Sequence, residues 1–231
     1  MKGIRSVLYM HWRSVGSWVY IPWLILGSVF LINYGWRSFH QDSQSTNDVG
    51  NMVIFIYLFT VAWIFNGQLF AFASGLSIKR MHFVLGSVMA AILISIGSSL
   101  LLMLLIVVEN MTNGWGIDWH TFSWKVTQTF AYWEQFAIYL LVFLCLILLG
   151  FFLSSIVIRF RKRGLLVFGV LLYVFFLVIS NTSVNGFDHE EAFWTWIGQH
   201  GLLVFYSLIP AIILLLFGCY MLFMRRAIIR S

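Results

Sequence analysis

Long apolar runs separated by short polar segments dominate the pattern of this chain. A membrane-spanning helix needs ~20 consecutive, mostly apolar residues. The runs that fit this requirement predict six transmembrane helices, over approximately residues 17–36, 51–74, 83–108, 136–158, 164–180 and 201–223. Because no polar stretch is long enough for a separate soluble domain, the fold class is an all-α polytopic membrane protein, with residues 1–231 as one domain.

A short amphipathic helix is predicted before the first span, from Ile4 to Trp12. Its apolar positions recur at helical spacing at Ile4, Val7, Leu8 and His11. Arg5 and Arg13 lie beside them, so the segment is expected to lie flat at the membrane surface.

A second interfacial helix is predicted in the long polar segment at residues 109–135. An Asn113-Gly114 turn signal comes first. Large apolar residues then recur at steps of three and four, at Trp119, Phe122, Val126, Phe130 and Trp133. Their aromatic content favours a helix in the outer headgroup layer.

Acidic and basic residues fall on opposite sides of the six predicted spans. All eight Asp and Glu fall on one side of the six spans, and twelve of the fourteen Lys and Arg fall on the other; Arg37 and Lys125 are the exceptions. Cationic loops are retained in the cytoplasm during insertion, so both termini are predicted to be cytoplasmic.

Composition excludes several classes of protein. With 61% hydrophobic and 10% charged residues, the chain is not a soluble domain. The net charge of +6 lies in short loops beside apolar runs, where lipid headgroups attract it, so no nucleic acid partner is expected. Two cysteines, Cys145 and Cys219, are too few for a zinc site. Asp188-His189-Glu190-Glu191 reads as solvated loop charge, and no catalytic residue, metal or directly bound cofactor is predicted.

Span interiors carry small and aromatic stripes in place of charges. Repeats of small residues predict close packing within the bundle, at Gly67, Ala71 and Gly75 and at Ser87, Ala91, Ser95 and Ser99. A subunit interface is the alternative. A face of larger residues includes Phe55, Phe59, Trp63, Asn66 and Gln68. It fits either a translocation path for an amphipathic solute or a surface that packs against lipid. Pro210, in the middle of the last span, predicts a bend.

The segment from Ala73 to Ser87, continued by Glu109-Asn-Met-Thr-Asn-Gly-Trp-Gly, carries a family resemblance. With the six spans, it resembles the permease subunit of ABC-2 type (type V) ABC transporters. It is similar in particular to small Gram-positive permeases of the lantibiotic-immunity and phenol-soluble-modulin-exporter kind. The Glu-Arg-x-x-Gly-Thr approach and the following proline of the broader family are missing here.

The resemblance implies an exporter subunit in a bacterial cytoplasmic membrane that is not itself an enzyme. Separate ABC ATPase subunits would hold ATP and magnesium, and a second permease copy or a paralogue would complete the transporter within the lipid bilayer. The resemblance assigns ATPase coupling to Leu76, Ser77, Ile78, Lys79, Arg80, Met81 and His82. A second cytoplasmic contact or lipid anchor falls on Arg159, Arg161, Lys162 and Arg163. The expected cargo is a hydrophobic or amphipathic peptide or drug.

A different class of function stays open. The spans have no ionisable residue in their interiors, whereas carriers driven by protons or ions place such groups near the midplane. This absence disfavours an ion-coupled carrier, and it also fits a non-transporting membrane scaffold or accessory protein.

Overall fold

A computed structural model of the protein describes residues 2–39, 50–123, 127, 130–183 and 204–225, with 2, 50, 51, 161–168, 170–183 and 204 described by their backbone alone. Six α-helices make up nearly all of this part: α1 (Lys2–Arg13), α2 (Ile21–Phe39), α3 (Gly50–Gly75), α4 (Arg80–Met111), α5 (Tyr132–Ser183) and α6 (Ile209–Arg225). No strand occurs within these ranges.

Five helical segments are long and apolar enough to cross a membrane. They are Gly16–Phe39, Met52–Gly75, Arg80–Met111, Tyr132–Phe160 and Phe205–Arg225. Large apolar side chains such as Leu31, Leu104 and Leu214 are more than 60% exposed on their outer faces. A lipid environment makes such exposure favourable, so the described chain is a helical, multi-pass membrane-protein fold.

The break predicted between the fourth and fifth spans, at residues 159–163, is not formed. The backbone of α5 is helical from Tyr132 to Ser183, straight through Arg159 to Arg163. Its 52 residues are about 78 Å long, more than twice the thickness of a hydrocarbon core. Arg, Lys and Leu are good helix formers, and Gly164 alone does not stop a helix. The predicted span at 164–180 is therefore the continuation of α5.

Both prolines sit just after a wider helical turn. A π-helical turn at Gly16–Tyr20 precedes Pro22, and another at Val204–Leu208 precedes Pro210. Proline lacks the N–H that would bond the carbonyl four residues earlier, so the preceding turn widens. Pro210 is thus the second residue of α6, and the predicted irregularity falls at the start of that helix.

Helix α1 packs on the transmembrane bundle. Val7 is fully buried and His11 is only 4% exposed, as the helical spacing predicts. Gly86 of α4 permits this contact, because an added Cβ would lie 2.7 Å from Cβ of Val7. The predicted helix is confirmed, and its inner face rests on protein.

Small residues hold the other helices close together. Ser87, Ala91, Ser95 and Ser99 are all fully buried inside the bundle, which confirms the packing role of that stripe. Gly150 of α5 lies against the backbone of α3, where an added Cβ would be 2.8 Å from the carbonyl oxygen of Phe59. The other stripe is only partly used: Gly67 approaches Ser154, whereas Ala71 and Gly75 are exposed.

Residues 112–123, directly after α4, form an inward-folded loop, which corrects the prediction of an interfacial helix over Trp119 and Phe122. Residues 119–123 are extended or bent, Val126 lies outside the described residues, and α5 begins at Tyr132. The helical spacing of the apolar residues correctly predicted that Trp119 and Phe122 are buried, but the helical conformation that it predicted for them is wrong. Trp119 and Phe122 are 4% and 2% exposed, because both pack on Phe30 of α2 at ring-centroid distances of 5.5 Å.

The turn that starts this loop uses left-handed backbone. Asn113, Gly114, Trp115 and Gly116 have φ of 49°, 66°, 60° and 76°. An added Cβ at Gly114 would lie 2.5 Å from the backbone nitrogen of Trp119, so only glycine fits there. The Asn113-Gly114 turn signal is confirmed.

The side chain of Glu109 anchors the loop. It is fully buried in the last turns of α4. Its Oε2 accepts hydrogen bonds from the backbone N–H groups of Thr121 (3.0 Å) and Phe122 (2.9 Å) and from Trp115 Nε1 (3.3 Å). Its Oε1 accepts from the backbone N–H (3.2 Å) and the hydroxyl (2.9 Å) of Ser123. One carboxyl group thereby satisfies five donors that would otherwise lack partners in an apolar setting.

We expect Glu109→Ala to open this loop. The substitution leaves five donors without their acceptor, which destabilises the closed conformation by about 3 kcal/mol or more. Amide hydrogen exchange at residues 121–123 should then accelerate by roughly 100-fold. The control is Asp118→Asn, since the Asp118 side chain is 96% exposed. Equal exchange rates in both variants would show that Glu109 does not hold the loop.

Candidate functional site

The turn between α3 and α4 lies at the basic end of the bundle. Four residues, 76–79, separate the two helices, and Leu76, Ser77 and Lys79 are exposed. Ser77 takes a left-handed conformation (φ 55°), and the N–H of Ile78 donates to the carbonyl of Ala73 (3.1 Å). The first part of the predicted coupling segment is thus a tight, hydrogen-bonded turn that leads directly into α4.

Two other helices meet this turn. Arg80 Nη1 donates to the carbonyl of Arg225 at the end of α6 (3.1 Å). His82 lies against Gly3 of α1, where an added Cβ would be 2.6 Å from Nδ1 of His82. Met81 is exposed and His82 is half-buried. The coupling residues predicted from the sequence therefore share one surface with the ends of α1 and α6.

Arg159, the first residue of the predicted second contact, is at the same end. Its guanidinium lies 5.0 Å from the ring centre of Phe160 and 5.1 Å from that of Phe223 in α6. Arg161, Lys162 and Arg163 continue α5, and their side chains lie outside the described part of the structure.

A cluster of polar side chains is buried inside the bundle, near the end that carries the turn between α3 and α4. We call His11, Asn66, Ser87 and Tyr220 the central polar cluster. The Tyr220 hydroxyl donates to Asn66 Oδ1 (2.9 Å) and also interacts with Ser87. Ser87 Oγ lies 3.3 Å from His11 Nε2. The cluster joins α1, α3, α4 and α6 through one chain of contacts.

Aromatic rings enclose the cluster. Trp18 and Phe151 lie 5.8 Å and 6.2 Å from the His11 ring, and Phe151 lies 5.7 Å from Tyr220. Within the described residues, His11 Nδ1 and Asn66 Nδ2 are buried without a hydrogen-bond partner. Burial lowers the pKa of His11 to about 4, so this side chain is neutral at physiological pH. The cluster is a neutral hydrogen-bonded network and contains no paired acid and nucleophile.

The residues of the suggested translocation path are placed in three different settings. Phe55 is buried against Phe143 of α5 (5.1 Å between ring centres), and Phe59 and Trp63 lie beside the close contact at Gly150. Asn66 belongs to the central polar cluster, while Gln68 is exposed. That these five residues line one translocation path along α3 stays a prediction.

Sequence reasoning did not single out three members of the cluster for a polar role. Ser87 was assigned to packing, His11 to a membrane-facing surface, and Tyr220 to an ordinary span position. The available signal was the presence of polar side chains within otherwise apolar stretches. The Asp188-His189-Glu190-Glu191 segment lies outside the described residues. In the described part of the chain, no group of three potential metal ligands occurs.

No protein-family model, curated protein or solved structure matches the chain.

We expect the stability of the fold to depend on the ionisation of His11. In the unfolded chain its pKa is about 6.5, and in the folded protein it is about 4. As the pH falls from 6.5 to 4, the unfolded state binds a proton that the folded state does not, so stability decreases by about 3 kcal/mol in total and then levels off. His11→Gln should remove this part of the pH dependence in thermal unfolding, because a glutamine side chain does not take up a proton in this pH range. Identical pH profiles would contradict the assignment.

We also expect Tyr220 and Asn66 to be energetically coupled. A double-mutant cycle of Tyr220→Phe and Asn66→Leu should give an interaction energy of ~0.6 kcal/mol, the average for hydrogen bonds between membrane helices. Equilibrium unfolding in mixed detergent measures it. Tyr206→Phe, an exposed tyrosine of the same terminal segment, should show no coupling to Asn66→Leu. A zero value for the Tyr220 cycle would mean that the 2.9 Å contact adds nothing to stability.

Proposed function

We propose that the protein is the membrane-spanning permease subunit of an ATP-driven ABC exporter. It would lie in the cytoplasmic membrane of a bacterial cell, with both termini in the cytoplasm. Separate ATPase subunits would bind ATP and magnesium and supply the energy. A second permease copy or a paralogue would complete the transporter, and its cargo would be a hydrophobic or amphipathic peptide or drug. The sequence resemblance to ABC-2 permeases supports this proposal.

The exposed basic turn between α3 and α4 carries the proposal. Lys79 and Arg80 are both exposed there, and Leu76 beside them is 56% exposed. Exposed apolar and cationic groups on a rigid turn provide both contact area and charge for a partner protein. The ends of α1 and α6 flank the turn, so a partner that bound there would contact three parts of the bundle.

Motion of this turn would reach the bundle interior through α3 and α4. Asn66 lies ten residues before Leu76, and Ser87 lies eight residues after Lys79. These separations correspond to about 15 Å and 12 Å of helix. Because Asn66 and Ser87 both contact Tyr220, a change in the angle between α3 and α4 would require the central polar cluster to rearrange. Transport would then require a second arrangement of this network, which ATP binding to a partner could select.

The test is capture of an ATPase by the protein. Affinity-purified protein, expressed with each ABC ATPase subunit of the same genome in turn, should retain one of them together with its ATPase activity. Lys79→Glu should weaken retention at least several-fold, and Lys79→Glu with Arg80→Glu should weaken it further. The single variant is the cleaner one, because Arg80 also bonds to the end of α6.

Asp118→Lys is the matched control, since it also changes the charge by two units but lies in the loop at the opposite end. It should leave retention unchanged. Full retention by the double variant would exclude the turn as the coupling surface. Failure of the unmodified protein to retain any ATPase would favour the scaffold function instead.

A further inference from the structure

An open groove runs between α1 and the end of α3. It has a volume of about 770 Å³, and its lining includes Arg5, Tyr9, Arg13, Leu69, Phe72 and Leu76. Tyr9, Phe72 and Leu76 are 64%, 61% and 56% exposed, so the groove opens on the outer surface of the bundle. Its α3 wall is apolar, while its α1 wall carries both arginines.

The two arginines have no counter-charge in the described part of the chain. Neither guanidinium takes part in an ion pair or hydrogen bond among these residues, and both side chains are exposed. The described acidic residues, Glu109, Asp118 and Glu134, belong to the opposite end of the bundle. A ligand that neutralises the groove must therefore bring its own negative charge.

The positions of the arginines and of the apolar side chains indicate which kind of ligand fits the groove. Arg13 follows Arg5 by eight positions, which places their Cα atoms about 12 Å apart along α1. Leu69 and Phe72 of α3, and Leu76 directly after it, recur at steps of three and four along the facing side of the groove. The groove thus offers a cationic edge for a headgroup and an apolar strip for a chain that lies along α3.

We propose that this groove binds one anionic phospholipid. Its phosphate contacts Arg5 and Arg13, and an acyl chain lies against Leu69, Phe72 and Leu76. Arginine matches phosphate geometry with several N–H donors, and basic pockets beside membrane helices take anionic headgroups. The site does not depend on the proposed transport function, because it needs only the groove and a surrounding bilayer.

Native mass spectrometry of the detergent-purified protein, titrated with phosphatidylglycerol and with phosphatidylcholine, tests the proposal. One phosphatidylglycerol should bind more tightly than phosphatidylcholine, by roughly fivefold for each arginine and so about 25-fold in all. Arg5→Gln with Arg13→Gln should abolish this preference. Arg225→Gln removes an exposed arginine from the same end outside the groove lining, and it should keep the preference.

Two further measurements separate the headgroup from the chain. Phe72→Ala should weaken binding of both lipids while preserving the ratio between them, because it removes only apolar contact. Inorganic phosphate in excess should not displace phosphatidylglycerol, since a free anion lacks the acyl chain. Displacement by phosphate would reduce the groove to a simple anion site and overturn the proposal.

A second copy of the chain is the competing occupant. Phe72→Cys should form no disulfide between copies in bilayers if a lipid fills the groove. Efficient crosslinking between copies would overturn the proposal, as would equal binding of the two lipids by the unmodified protein. Thermal unfolding of each variant in detergent identifies misfolded protein. If the double arginine variant does not fold, weaker lipid binding by Phe72→Ala still tests whether the lipid occupies this groove.

Discussion

The need to satisfy polar groups away from water is the constraint on which this structure depends. Helices in lipid gain little from hydrophobic association, so close packing and internal hydrogen bonds must hold the bundle together. Two buried groups organise most of the described chain. Glu109 gathers five donors from the loop after α4, and Tyr220 with Asn66 joins the last helix to α3. Glu109 binds the loop that directly follows its own helix, whereas Tyr220 and Asn66 meet only when α3 and α6 pack together.

Close approach of backbones makes these contacts possible. Gly86 lets α1 rest directly on α4, and Gly150 brings α5 against α3. In both places a methyl group would lie within 2.8 Å of the neighbouring helix. Packing at such distances gains many small dispersion contacts and also brings short polar side chains such as Ser87 within reach of their partners. Small residues therefore determine both the spacing of the helices and the position of the central polar cluster.

The two ends of the bundle differ in a way that fits their proposed roles. At one end, the loop after α4 is closed over Phe30 by three aromatic rings and held by the carboxyl of Glu109. At the other end, a turn of four residues and the groove beside α1 leave cationic and apolar groups exposed. Exposed groups on a rigid frame suit binding to a partner or a lipid, whereas a closed, satisfied loop suits a fixed cover.

The sequence by itself determined the helical membrane fold, the amphipathic α1 and the packing stripe on α4, because periodicity and run length follow directly from helix geometry and bilayer thickness. It did not determine the conformation at Trp119 and Phe122. Their spacing matches a helix, but the stretch is extended. The carboxyl of Glu109, in the preceding helix α4, holds it there by accepting hydrogen bonds from its backbone. The sequence also did not determine whether the helix ends at Arg159. The residues there are good helix formers, and α5 continues through them. Only the tertiary structure decided which lone polar residues became partners, since His11 and Asn66 are 55 positions apart in the chain and meet through Ser87 and Tyr220.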